Sequence, residues 1–129
     1  MFECVNELVL NAKALADPTR VRILMALREQ ELCVCELCDV LDVTQSTLST
    51  HLQIVRGAGL VSTRKAGKWM YYAMTPEAAN KIGSLMRLFS PSLSADATLR
   101  NDAKRLKRRL SLRNGGACCV GFPNKKSCC

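Results

Sequence analysis

Between Cys35 and Met74 the chain passes through an order of patterns that few small folds accommodate. A short helical pattern over about 35–41 leads into the tight connection Asp42-Val43-Thr44. A second helical pattern follows over about 45–57, with Leu48, Leu52 and Val55 on one face. Thr44 stands where that helix needs an N-cap, and Gly57-Ala58-Gly59 ends it. Two strand-like runs, about 60–65 and 68–74, then flank Ala66-Gly67, a hairpin signal. Helix, tight turn, helix and basic hairpin in that order predict a winged helix-turn-helix, mainly α with a β-hairpin wing.

The flanking segments read as helices. Phe2, Val5, Leu8, Val9, Ala12 and Leu15 recur at three- and four-residue steps, predicting a helix over about 2–16. Asp17 caps and Pro18 opens a second helix, about 18–30, that buries Val21, Leu24 and Leu27. Thr75-Pro76-Glu77 starts another, about 76–89, with Ala79, Ile82, Leu85 and Met86 apolar. Ser90-Pro91-Ser92 is a break. A basic helix over about 95–112 carries Leu99, Ala103, Leu106 and Leu110 in near-heptad spacing. From Arg113 on, the Gly, Pro, Asn, Lys and Ser content predicts a loose tail. The chain therefore divides into a winged helix-turn-helix unit (1–93), a basic helix (94–112) and a flexible Cys-rich tail (113–129).

With 129 residues, 48% of them hydrophobic, the chain suits one compact core. No stretch approaches the roughly 18–20 apolar residues that cross a bilayer, so no membrane partner is expected. The opening Met-Phe-Glu-Cys-Val-Asn-Glu lacks a basic n-region and a cleavage site, so a cytoplasmic location is expected. The formal charge of +8 sits mostly at one end: residues 94–129 hold nine Lys/Arg against two Asp/Glu. Charge suits nucleic acid but does not locate the surface that would bind it. Lys104, Arg105, Lys107, Arg108 and Arg109 either add nonspecific DNA affinity or form a solvated face. No nucleophile–base pair, phosphate-cradling glycine loop or catalytic-metal motif is present, so an enzyme is not expected.

A recognition helix must show small polar side chains to the major groove. Gln45, Ser46, Thr47, Ser49 and Thr50 meet that demand, and a good bidentate base contact discriminates by about 1–3 kcal/mol. Arg64, Lys65 and Lys68 on the wing suit phosphates or the minor groove, contacts that position more than they specify. His51, the one histidine, reads as a packing or phosphate-contact residue.

Several separated runs fall in one recognisable order: Ala14-Leu15-Ala16-Asp17-Pro18-Thr19-Arg20, Ser46-Thr47-Leu48-Ser49-Thr50-His51-Leu52, Ala58-Gly59-Leu60-Val61 and Gly67-Lys68-Trp69-Met70-Tyr71-Tyr72. Over about residues 8–75 the chain resembles the ArsR/SmtB family of metal-sensing repressors. Glu31-Leu32-Cys33-Val34-Cys35-Glu36-Leu37-Cys38 is similar to the metal box of that family's arsenical-resistance branch. The resemblance implies a homodimer built from the first and the post-wing helices. It also implies binding to a dyad operator in double-stranded DNA near the protein's own promoter.

Eight cysteines in a small chain raise the question of disulfides, but no secretion signal accompanies them, and their clustering suits a thiophilic ion better. Three thiolates neutralise trivalent arsenic and leave its lone pair free, and soft thiolates select soft ions. Cys33, Cys35 and Cys38 supply three sulfurs, favouring As(III) or Sb(III) as inducer with no organic cofactor. Zinc usually takes four ligands, often with histidine, although Asp39 and Asp42 keep a zinc site open. On a regular helix Cys35 and Cys38 share a face while Cys33 points nearly opposite, so convergence on one ion requires a bent or unwound helix start. Cys38 is either a ligand or a core residue. Cys118, Cys119, Cys128 and Cys129 form vicinal pairs in the tail: a second metalloid site, a capture arm or a redox target. Cys4 reads as packing. Two other functions fit the thiols, a redox-sensing repressor of the same fold and a metalloid-binding or delivery protein.

Overall fold

The computed structural model describes residues 4–118 and 121. Its elements are α1 (Cys4–Ala14), α2 (Pro18–Ala26), β1 (Leu32–Cys33), α3 (Val34–Leu41), α4 (Gln45–Gly57), β2 (Val61–Ala66), β3 (Trp69–Met74), α5 (Pro76–Leu88), α6 (Ser90–Ser94) and α7 (Ala97–Leu110). Local chemistry sets most of these boundaries. Asp17, extended at φ −140°, accepts from the amides of Thr19 and Arg20, with Pro18 opening α2. Thr44 caps α4 through the Thr47 amide, and Thr75 caps α5 through the Ala78 amide. Asp96 accepts from the Leu99 amide to start α7. Asp42 ends α3 in the left-handed region at φ 55°, a conformation that Asp tolerates better than most side chains.

The helix-turn-helix and wing follow the sequence pattern closely. α4 has the predicted span, and β2 pairs antiparallel with β3 from Val61↔Met74 to Ala66↔Trp69. The two-residue turn is Gly67-Lys68, one step beyond the expected centre; Gly67 takes φ 60°, the hand that tight hairpins require. Leu24, Ile23, Leu37, Leu41, Leu48, Leu52, Val55, Leu60 and Val61 form the core under α4 and the hairpin.

Five features depart from the periodicity reading. α2 ends at Ala26 rather than near 30 and buries Ile23 in place of Val21. β1 is a third, two-residue strand that pairs with β3 (Leu32↔Tyr72, Cys33↔Tyr71) and gives the sheet the order β1-β3-β2. Ser90-Pro91-Ser92 lies in a short helix, since Pro is tolerated in a first helical turn. In α5 the buried residues are Ala78, Ile82 and Met86, a four-residue step that leaves Ala79 exposed. α1 buries Ala14, whereas Val5 and Leu8 are about two-thirds exposed, at 70% and 69%.

α7 docks on α3 through both charges and leucines. Asp102 and Arg109 are its buried residues, while Leu106 and Leu110 are partly buried against the core. Asp102 accepts from Arg22 of α2 (2.8 Å twice) and from Arg105 (2.7 Å). Arg22 also donates to the Leu41 carbonyl and Arg105 to the Val40 carbonyl, which satisfies the last turn of α3. Arg109 pairs with Asp39 at 3.0 Å. Arg105 and Arg109 therefore carry tertiary contacts rather than forming part of a solvated face. No helix among the described residues is long and apolar enough to cross a membrane.

Candidate functional site

Cys33 is the last residue of β1 and the N-cap of α3, extended at φ −81°, ψ 169°. Because its backbone has not yet entered the helix, its side chain escapes the roughly 200° separation that two helical steps impose. The Cys33 and Cys35 sulfurs lie 2.9 Å apart. The bend demanded by the sequence pattern is thus already present in the fold, and these two sulfurs meet without unwinding α3.

Among the described residues, a third sulfur near them belongs to Cys118. Its Sγ is 3.4 Å from that of Cys35, and the ligand atoms of Cys33, Cys35 and Cys118 all lie within 4.8 Å of one another. Metal–sulfur bonds of about 2.3 Å would place sulfurs roughly 3.4–3.8 Å apart around one ion, so small adjustments bring this trio to coordinating distance. All three are buried, beside Tyr71. Cys35 is disulfide-bonded in this structure. Cys38 packs instead in the main core with Leu24, Leu37 and Leu41. Cys119, Cys128 and Cys129 lie outside the described residues.

A charged frame holds the trio. Glu36, fully buried, accepts from the Cys33 amide at 3.0 Å. Arg113 donates to both Glu36 oxygens at 2.7 Å and to the Glu31 carbonyl at 2.7 Å. Arg109 donates to the Gly121 carbonyl and approaches the Cys118 sulfur at 3.8 Å. The Cys118 amide donates to the Tyr71 hydroxyl at 2.9 Å. The described part of the tail is therefore packed against α3 and β3.

Burial pushes the Cys33 thiol well above the ordinary thiol range; the Glu36 amide opposes this and the Glu36 carboxylate adds to it. Burial likewise raises the Tyr71 phenol. Cys4, expected to be a packing residue, is instead exposed. Since the thiolate is the nucleophile, Cys33 in the reduced protein is expected to react with iodoacetamide at least about tenfold more slowly than Cys4. Peptide mapping by mass spectrometry after timed quenching checks this, and equal rates would contradict it.

The second constellation is the exposed polar face of α4 together with the wing. Gln45, Ser46, Thr47, Ser49 and Thr50 are exposed along α4. Thr47 shares its hydroxyl with Thr44, and Thr50 donates back to the Ser46 carbonyl, which leaves Gln45 and Ser49 as the less encumbered groups. His51 is half-buried, its Nδ1 3.2 Å from Arg20 and 3.9 Å from Asp17, so it ties α4 to the start of α2. On the wing, Lys65 is exposed and Lys68 lies 4.9 Å over Trp69. Arg64 is engaged at the wing base: it pairs with Glu31 and lies 5.1 Å over the Tyr71 ring. Tyr71 thus touches a wing arginine on one side and the Cys118 amide on the other.

Sequence reasoning named Cys118 but did not join it to Cys33 and Cys35, and it missed Tyr71, Glu36 and Arg113. One signal was available. Arg105, Arg109 and Arg113 recur at four-residue steps, and Glu36 and Asp39 at three, as two facing charged stripes would.

Comparison with known proteins agrees with this architecture. The family model described as bacterial regulatory protein, arsR family, matches residues 17–63. The arsenical resistance operon repressor of Escherichia coli is 49% identical over 65 residues, 50% of this chain and 56% of that protein. The arsenic resistance transcriptional regulator ArsR2 of Pseudomonas putida is 35% identical over 97 residues, 74% of this chain and 82% of that protein. Among solved structures, HlyU from Vibrio cholerae superposes with a TM-score of 0.63 at 37% identity, covering 70% of this chain and 99% of its own. The chain spans between 54% and 59% of the length of the first three curated relatives it matches.

Proposed function

The chain belongs to the arsR family of bacterial regulatory proteins, and on that footing we propose that it is a homodimeric repressor released from operator DNA by trivalent arsenic or antimony. The observation that carries the reading is the buried sulfur cluster at the β1–α3 junction. It lies one short helix before α4 and in the same sheet as the wing. An ion bound there acts on both DNA-facing elements through one packed unit. The arsenical-resistance names of two relatives support the choice of inducer. In this reading Gln45, Ser46, Thr47, Ser49 and Thr50 face base edges, Lys65 and Lys68 meet phosphates, and Arg64 and His51 set the posture of wing and helix. The exposed apolar residues Val5, Leu8 and Val9 of α1, with Leu88 and Phe89 at the end of α5, support a dimer in which they are covered.

Inducer and DNA need only prefer different conformations. A coupling of about 2.8 kcal/mol weakens operator binding roughly a hundredfold. Fluorescence anisotropy on the protein's own promoter fragment, with reduced protein and sodium arsenite, measures it. Cys33→Ser and Cys35→Ser are expected to keep DNA affinity and lose the arsenite response. Release that persists in both variants would remove the junction cysteines from induction.

The disulfide at Cys35 favours a second reading, a thiol redox switch of the same fold. It predicts release by peroxide without metalloid, reversed by reductant. The arsenite reading predicts release in the reduced state.

A further inference from the structure

We propose that Cys118 is the third metalloid ligand, so that one trivalent arsenic is held by Cys33, Cys35 and Cys118 at the meeting point of β1, α3 and the C-terminal segment. This rests on the arsenite reading above and names the site's composition. Sequence spacing alone favours a site closed within Cys33–Cys38, but the fold separates Cys38 from the other two. Cys38 is among the leucines of the main core, whereas Cys118 shares the Tyr71 cluster with Cys33 and Cys35.

The C-terminal segment is shaped to deliver that sulfur. α7 ends at Leu110 with Ser111 as its C-cap. Gly115 and Gly116, at φ 63° and 79°, close a tight turn bridged between Asn114 and Ala117. Only glycine takes these two consecutive angles without strain. The turn brings Cys118 back over the start of α3. Its amide is fixed by the Tyr71 hydroxyl, and Arg109 lies beside its sulfur. Arg113, just before the turn, is locked onto Glu36, which itself holds the Cys33 amide.

The chemistry suits a buried, water-poor position. Arsenous acid, As(OH)3, and three thiols give an As(S-Cys)3 centre and three waters. Three S–H and three As–O bonds break, three As–S and three O–H bonds form, and arsenic stays trivalent. Neutral reactants give a neutral centre, so no net charge is buried, a balance that a divalent ion on three thiolates does not achieve. The Cys35 disulfide must first be reduced. A phosphine does this by taking the oxygen of one water to become a phosphine oxide, and unlike a dithiol it does not compete for arsenic.

The test uses full-length protein reduced with phosphine, sodium arsenite by equilibrium dialysis, and the sulfur count from arsenic K-edge absorption. Cys118→Ser is expected to weaken arsenite binding about a hundredfold, the scale on which a tethered extra contact raises affinity, and to lower the count from three sulfurs to two. The combined variant C38A/C119S/C128S/C129S keeps Cys4, Cys33, Cys35 and Cys118, and is expected to retain three sulfurs and near wild-type affinity. The assignment is overturned if Cys118→Ser retains three sulfurs at unchanged affinity, or if the combined variant loses its third. If three sulfurs bind in that variant but arsenite fails to release DNA from the wild type, the ligand set stands and the inducer role falls.

Discussion

Replacing Arg113 with alanine is expected to lower folding stability by about 3–5 kcal/mol, the cost of leaving a buried charge without its partner. Glu36 is fully buried, and both of its oxygens accept from Arg113 at 2.7 Å, with the Cys33 amide as a further donor. Arg113 also holds the Glu31 carbonyl and lies 5.8 Å over Tyr71, so the substitution loosens the sheet edge as well. Thermal unfolding of reduced protein should show a fall in Tm of about 10–15 °C. The double variant R113A/E36Q separates charge from shape. Glutamine keeps an acceptor for the Cys33 amide and removes the stranded carboxylate, so at least half of the loss should return. A change under about 1 kcal/mol in R113A, or no recovery in the double variant, would mean that the pair is solvated in practice.

The second large effect concerns Asp102. Its carboxylate, 5% exposed, sits between Arg22 and Arg105 and is the point where α2, α3 and α7 are joined. Asp102→Ala brings two guanidinium groups together without their shared anion, each still reaching for a carbonyl at the end of α3. A loss of about 3 kcal/mol is expected, because a partly buried pair is broken on both sides. The readouts are a fall in Tm of about 10 °C and faster hydrogen exchange along α7. Asp102→Asn should recover part of it by keeping an oxygen acceptor. If exchange in α7 stayed slow, Leu106 and Leu110 would be the real attachment.

These two sites also explain where the C-terminal charge goes. The sequence places nine Lys/Arg in the last third, which invites a nucleic-acid reading. In the folded chain Arg105, Arg109 and Arg113 face inward to Asp102, Asp39 and Glu36, with Arg105 also on the Val40 carbonyl. The positive charge that remains unneutralised on this helix is that of Arg100, Lys104, Lys107 and Arg108, with Arg108 only 3.9 Å from Asp39.

From the sequence alone one can read the helix-turn-helix, the wing and the exposed polar face of α4, because these depend on neighbours. Caps at Asp17, Thr44 and Thr75 act over two or three residues, and a hairpin is set by its own turn. Tertiary structure decided which cysteines meet. β1 is two residues long and exists only because β3 is there to pair with it, and it is this strand that turns Cys33 toward Cys35. Cys118 reaches Cys35 across 83 positions and Arg113 reaches Glu36 across 77, distances over which no local period carries information. Such contacts follow from the docking of α7 on α3, where charge pairs and the partly buried Leu106 and Leu110 join segments far apart in the chain.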